Sequence, residues 1–307
     1  MASCAGEEVN ADFVTLPSDI IWVVDQSGSM NQETQYVQQQ INTFASAIDT
    51  SGIDYRVVMI ARDSSTNAIC VPPPLGGTSC GDNSRFKLVD QYVDSRNGPA
   101  VAVAQYPNYS SFLRVDAMKH FIFVTDDDSN QSAATFTNAL AALTPAGMFA
   151  NYKVHGIYGR SSTGTTCSGA FGTAVRPGDV YTSLITSTGG ASGIICDNDW
   201  SGVFAQIQAA VVSGSQVSCE ITIPQPSQGG SIDPNQVNVK YVMGGVGTGV
   251  TLPQVASAAA CSTNGGWYYD DPNAPTTITL CPESCTAVQA DAAASVTIEL
   301  GCSTVIL

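Results

Sequence analysis

The sequence predicts an α/β protein: a doubly wound, mostly parallel sheet flanked by helices, followed by a small disulfide-rich β module. Three observations carry this. Near-continuous apolar runs occur at 19–24, 55–61, 120–125 and 152–159, as expected of strands buried on both faces. Segments with helical apolar spacing alternate with them, which is the signature of parallel strands joined by crossover helices. From about residue 217 the texture changes to short alternating strands, Pro/Gly turns and cysteines. The expected domains are 1–216 and 217–307.

The first strand, 19-DIIWVV-24, is apolar at five consecutive positions. The stretch 33-ETQYVQQQINTFASAID-49 then places Tyr36, Val37, Ile41, Phe44, Ala45 and Ile48 on one helical face, and Gly52 provides its stop. A second strand, 55-YRVVMIA-61, leads into a loop over 62–84 with three consecutive prolines and with Cys70 and Cys80, an obvious local bridge. The strand 120-HFIFVT-125 runs into 126-DDDSN-130. There Asp128 or Ser129 is expected to cap the helix 131-QSAATFTNALAAL-143. The strand 152-YKVHGIYG-159 follows, then a Gly/Ser/Thr loop, a helical segment 179-DVYTSLITS-187 and an amphipathic helix 200-WSGVFAQIQAAVVSG-214. His120 and His155 sit inside apolar segments and read as core. In the second domain the expected strands are 219-CEITI-223, 237-VNVKYVM-243, 276-TTITL-280 and 295-SVTIEL-300, with no long helical pattern.

Composition narrows the function. A formal charge of −15 with only 11 Lys and Arg argues against nucleic acid and anionic membrane surfaces as partners. No apolar run approaches the roughly 18 residues of a transmembrane helix. The start, MASCAGEEVN, has neither a basic nor an apolar region, so a leader, if there was one, is expected to have been removed. Ten cysteines without paired C-x-x-C knuckles read as five disulfides and an oxidising compartment: secreted or cell surface, with the periplasm as the alternative.

The chemistry concentrates at 21-IWVVDQSGSM-30. A buried strand ends in Asp25, and Ser27 and Ser29 follow at alternate positions, with Gly28 expected to permit a tight turn. One carboxylate and two hydroxyls form a hard-oxygen set suited to Mg²⁺, Mn²⁺ or Ca²⁺. A second carboxylate should come from another strand end in the same crevice, and Asp126 is the candidate.

These residues carry a resemblance. Asp25-Gln26-Ser27-Gly28-Ser29 resembles the D-x-S-x-S signature of the von Willebrand factor type A (vWA) domain, where it forms a metal-ion-dependent adhesion site. Val124-Thr125-Asp126 resembles the family's later V-T-D-G. The likeness covers roughly 15–215. It implies a further threonine or serine between the two motifs; Ser95 in 92-YVDSRNGPA-100 matches best, with Thr66 and Thr78 as rivals. The implied metal set is Asp25, Ser27, Ser29, Ser95 and Asp126. Where the family usually has glycine, this chain continues Asp127-Asp128, which could add outer ligands or a second cation position. The run 261-CSTNGGWYYDDPNAPTTITLCPESC-285 resembles the tail of secreted vWA-containing proteins from bacteria of the myxobacterial type, and adds no activity.

The two ends of a vWA domain lie on the same side of its sheet, so the resemblance favours a Cys4–Cys219 bridge. Cys167–Cys196 would then tie two loops, and Cys261, Cys281, Cys285 and Cys302 would staple the β module. Cys4 as a lipid-anchored cysteine is the alternative. The implied function is an extracellular, divalent-cation-dependent adhesion module, its metal completed by an acidic group on a partner protein or other ligand. The alternative is a structural or assembly protein whose cation only holds the site together. The chain contains no C-x-x-C, no phosphate-cradling glycine loop and no histidine placed as a base, so an enzyme is not expected.

Overall fold

A computed structural model describes residues 7–11, 16–64, 66–215, 219–223, 233–289, 295–301 and 303–306. The chain divides into two compact units, Leu16–Ser215 and a second built from Met1–Thr15 with Gln216–Leu307. In chain order the elements are β1 (Glu7–Ala11), β2 (Ser18–Val24), α1 (Asn31–Thr50), β3 (Tyr55–Ala61), β4 (Phe86–Asp90), α2 (Gly98–Ala104), α3 (Tyr106–Tyr109), β5 (Met118–Thr125), α4 (Ala133–Ala141) and β6 (Tyr152–Tyr158). They continue with β7 (Ser168–Gly169), β8 (Gly172–Thr173), α5 (Asp179–Thr188), β9 (Ser192–Ile194), α6 (Ser201–Ser215), β10 (Glu220–Thr222), β11 (Val237–Val242), β12 (Val250–Leu252), β13 (Trp267–Tyr269), β14 (Thr277–Leu280), α7 (Pro282–Gln289) and β15 (Ser295–Leu300).

The larger unit is built on a six-stranded sheet of order β4-β3-β2-β5-β6-β9, parallel at every pairing. Alternation along β2 explains why its whole length is apolar. Ile20, Trp22 and Val24 point to one face and pack with Val37, Ile41 and Phe44 of α1 and Phe204 and Ile207 of α6. Ile21 and Val23 point to the other and join Tyr109 of α3, Phe136 of α4 and Leu184 of α5. Helix α1 ends where Gly52 adopts φ +75°, the left-handed conformation that glycine enters without steric cost. The chain winds outward from β2 through β3 to β4, then crosses back to place β5 on the other side of β2. The winding therefore reverses between β2 and β5, and a crevice opens there at their carboxyl ends.

His120 and His155 lie fully buried in neighbouring strands, His120 Nδ1 3.0 Å from His155 Nε2. The Ala191 N–H donates to His155 Nδ1 at 2.9 Å, so His155 Nε2 carries the proton that it gives to His120. Burial pushes both imidazoles down, His155 to about 3. At the amino ends of the strands the buried Asp19 accepts from Arg114 Nη2 at 2.8 Å and Nε at 3.0 Å, with Lys119 Nζ 4.0 Å away.

The second unit holds two antiparallel sheets, β1-β15-β11-β12 and β10-β14-β13, around a core that includes Trp267, Val237, Val239, Ile278 and Ile298. The expected boundary at 1–216 places the first residues in the wrong unit: β1 pairs along its whole length with β15, from Glu7↔Leu300 to Ala11↔Val296. A short helix, α7, of eight residues stands among these strands.

Cysteine pairing corrects one expectation. Cys70–Cys80 and Cys167–Cys196 are bridged as anticipated. Cys219, however, pairs with Cys285, and Cys261 with Cys281, so Cys4–Cys219 does not form. The reason is the β10–β14 pairing: it brings the start of β10 beside the strand that feeds α7, which carries Cys285. Cys4 and Cys302 lie outside the described residues. No helix among the described residues is long and apolar enough to cross a membrane.

Candidate metal centre at the switch point

Register brings the two acidic motifs together. Val24 stands opposite Val124 in the β2–β5 pair, and the Asp25 amide then donates to the Val124 carbonyl at 2.9 Å. Asp25 is 1% exposed; its Oδ1 accepts from the Ser27 amide at 2.8 Å and its Oδ2 from the Thr125 hydroxyl, also at 2.8 Å. Ser27 and Ser29 place their hydroxyl oxygens 3.3 Å apart, and the Ser29 hydroxyl hydrogen-bonds Asp126. Asp126 is 5% exposed, and its Oδ1 has no hydrogen-bond partner among the described residues. Asp25, Ser27, Ser29 and Asp126 thus face one another across the crevice. Ser95 comes in by its backbone, its carbonyl oxygen 3.1 Å from Thr125 Oγ1.

Electrostatics single out the same spot. Burial lifts the Asp25 carboxyl to about 6, and the charge of Asp126 adds to the effect. Burial likewise raises Asp126, with the neighbouring Asp127 as a further cause. Glu33, in the first turn of α1, is lifted to about 7 by burial and by the charges of Asp126 and Asp25. Asp25, Asp126 and Glu33 form no ion pair among the described residues, in contrast to Asp19 at the opposite end of the sheet.

Two neighbouring loops fix the motif in place. Gln26 is buried: its Nε2 donates to the carbonyls of Arg62 and Asn67, both at 2.9 Å, while its Oε1 accepts from the Arg62 amide at 2.7 Å. Asn67, held at φ 63°, donates back to the Ser27 carbonyl. The Gln26 amide binds the Val93 carbonyl at 2.9 Å. Thr66 and Thr78 are exposed, and Asn67 of the same loop reaches the motif. Gly28 is exposed, its φ lies outside the left-handed region and a Cβ there would meet nothing. The turn therefore does not depend on glycine.

The extra acidic residues do other work. Asp127 Oδ1 lies 3.1 Å from Arg176 Nε and 3.8 Å from Arg96 Nε, already neutralised by cationic side chains. Asp128 Oδ1 accepts from the Ser129 amide at 2.9 Å and from the Val180 amide at 3.0 Å, so it caps the first turn of α5. The cap expected at Asp128 or Ser129 for the next helix is supplied instead by Ser132, which accepts from the Thr135 amide at 3.1 Å. Sequence reasoning missed Thr125 as a hydrogen-bonding partner, Gln26 and Asn67 as struts, and Glu33; the threonine of V-T-D was the one visible signal.

A cation needs hard-oxygen donors with a surplus of negative charge. Two buried carboxylates, two hydroxyls and an acceptor oxygen with nothing to bind fit that requirement. Among the described residues no three His, Cys, Asp or Glu side chains cluster closely enough to hold an ion by themselves.

No protein-family model and no curated protein matches the chain. Among solved structures it is similar to the pilus adhesin SpaC from Lactobacillus rhamnosus GG in its open conformation, at 14% identity and a TM-score of 0.37. That alignment covers 93% of this chain and 38% of the adhesin chain.

Proposed function

We propose that the chain is an extracellular ligand-binding module of the vWA kind that binds through a divalent cation, Mg²⁺ with Mn²⁺ or Ca²⁺ as alternatives. Asp25, Ser27, Ser29 and Asp126 would hold the ion, with Ser95 at the edge of the set. The observation that carries this reading is the buried Asp126 Oδ1, which has no donor among the described residues, beside a second carboxylate and with no lysine or arginine of the described residues paired to either. A buried charged oxygen left unpaired costs a few kcal/mol. The same chain surrounds its buried Asp19 with Arg114 and Lys119, and that contrast between the two ends of the sheet supports the reading.

When bound, the ion would supply positive charge and a coordination position open to an acidic group of a partner. The protein's own part is placement. The Ser27 amide and Thr125 hydroxyl orient the Asp25 carboxylate, the Ser29 hydroxyl steadies Asp126, and Gln26 and Asn67 hold the loop rigid. A partner carboxylate would otherwise be repelled by a chain of formal charge −15. Four disulfides among the described residues support an oxidising, extracellular setting, with the periplasm as the alternative.

Calorimetric titration of the full chain with Mg²⁺ and with Ca²⁺ tests the site. Wild type is expected to bind and Asp126→Ala to lose at least about 100-fold in affinity while keeping its circular dichroism; equal affinities in the two proteins would refute it. The competing reading is a structural or assembly block whose cation only holds the site together. It predicts that EDTA leaves partner capture unchanged.

A further inference from the structure

Glu33 poses a question that the four-residue set does not answer. It lies in the first turn of α1 and is 3% exposed. Part of its placement has a local reason. Met30, at the N-cap position, gives no side-chain cap, and the backbone amides of Gln32 and Glu33 stabilise the Glu33 carboxylate, as expected at the positive end of a helix. That role does not account for Oε2, which is buried and accepts from nothing among the described residues. Nor does it account for the company: the charges of Asp126 and Asp25 both act on Glu33. A helix cap gains nothing from facing two other carboxylates.

Glu33 is not a third ligand alongside the aspartates, because no three acidic groups among the described residues stand close enough to share an ion. A bare oxygen near a cation site but outside its ligand set suits a water molecule carried by the ion. Mg²⁺ gives up its waters reluctantly and is usually bound with several of them in place, whereas Ca²⁺ exchanges them for protein oxygens more readily. Groups that accept from metal-bound water typically change affinity by about 10- to 100-fold when removed.

We propose that Glu33 is a positioning residue of the cation site: its free Oε2 accepts a hydrogen bond from a water of the hydrated ion and biases the site toward Mg²⁺ and Mn²⁺ over Ca²⁺. The inference rests on the cation reading above and adds a specificity determinant to it. Glu33→Gln keeps the side-chain volume and one oxygen for the helix amides but removes the charge.

The test titrates EDTA-stripped full chain with Mg²⁺ and, separately, with Ca²⁺, for wild type, Glu33→Gln and Glu33→Ala. Both variants are expected to lose about 10-fold in Mg²⁺ affinity and less than about threefold in Ca²⁺ affinity, so the Mg²⁺/Ca²⁺ ratio falls in each. Using two variants separates the effect from a folding defect, which would not change the ratio. Mg²⁺ affinity within threefold of wild type, or a larger loss for Ca²⁺, overturns the assignment and leaves Glu33 a helix cap. A flat wild-type titration for both ions is a different failure: it removes the cation reading itself, and this inference with it.

Discussion

Replacing Asp25 by asparagine should make the cation-free protein more stable, although it removes a carboxylate of the proposed cation site. Burial raises the Asp25 carboxyl from 3.8 to about 6, a shift of about 2 units, and each unit corresponds to about 1.4 kcal/mol. The sign follows from the direction. A carboxyl with a raised folded-state value contributes stability that is full below about pH 3.8 and is lost as pH rises through about 6. At pH 7.5 the cation-free chain therefore lacks about 3 kcal/mol that a neutral side chain would retain. With the residue 1% exposed, solvent screening takes little from that figure.

Hydrogen bonding can be conserved. The amide oxygen can accept from the Ser27 amide. The amide NH2 can donate to Thr125 Oγ1, whose own proton then turns to the Ser95 carbonyl 3.1 Å away. Allowing about 1 kcal/mol for imperfect geometry, the net gain is about 2 kcal/mol, or about 4–8 °C in the melting temperature of a unit this size. Scanning calorimetry in EDTA at pH 7.5 and pH 4 reads it. Asp25→Asn should melt higher at pH 7.5, and the gap should close at pH 4. Cation at 100 times its Kd should raise wild type by about 2.7 kcal/mol and leave the variant unmoved. A variant that melts lower in EDTA, or a gap independent of pH, would refute the reasoning.

Gln26→Ala removes a donor to two carbonyls and an acceptor for the Arg62 amide, and is expected to cost about 2–4 kcal/mol in urea unfolding; a loss under 1 kcal/mol would mean that the loop is held by other contacts. The histidine pair should remain neutral at pH 5, which imidazole nitrogen chemical shifts can show. Both imidazoles have depressed folded-state values. Their contribution is therefore full above about pH 6.5 and falls by about 1.4 kcal/mol per pH unit per group below it, down to about 3 for His155. Imidazolium signals above pH 5 would contradict this. Asp127→Asn should leave Mg²⁺ affinity within about threefold, because Arg176 and Arg96 already engage that carboxylate; a tenfold loss in calorimetric titration would restore it as a ligand.

The central strands β2, β3, β5 and β6 were legible because burial on both faces leaves an unbroken apolar run. The two strands that the sequence hid, Phe86–Asp90 and Ser192–Ile194, are the edges of the sheet. Edge strands are short and only half covered, so FKLVD and SGI carry no continuous apolar signal. Helices α2 and α3 were masked by Pro99 and Pro107, which read as loop but occupy first-turn positions where proline is tolerated. At the site, Asp25 and Asp126 could be read because each follows directly from a recognisable strand. Asn67 could not: it meets Ser27 across 40 residues, through a loop whose path no local pattern specifies. Glu33 was hidden for another reason. In sequence it is an ordinary acidic residue in a first helical turn, and only coordinates show that one of its oxygens has no donor.

The pairing of β1 with β15 sets how a pull on the chain would be borne. Glu7 and Leu300 are partners, so tension entering ahead of the first strand and leaving after the last acts at one end of that ladder. While its five rungs hold, from Glu7↔Leu300 to Ala11↔Val296, the force passes directly from strand to strand. The whole length between them, with the crevice of Asp25 and Asp126, is short-circuited. Rungs loaded from one end part singly, like a zipper, so the ladder gives way first and acts as a mechanical fuse.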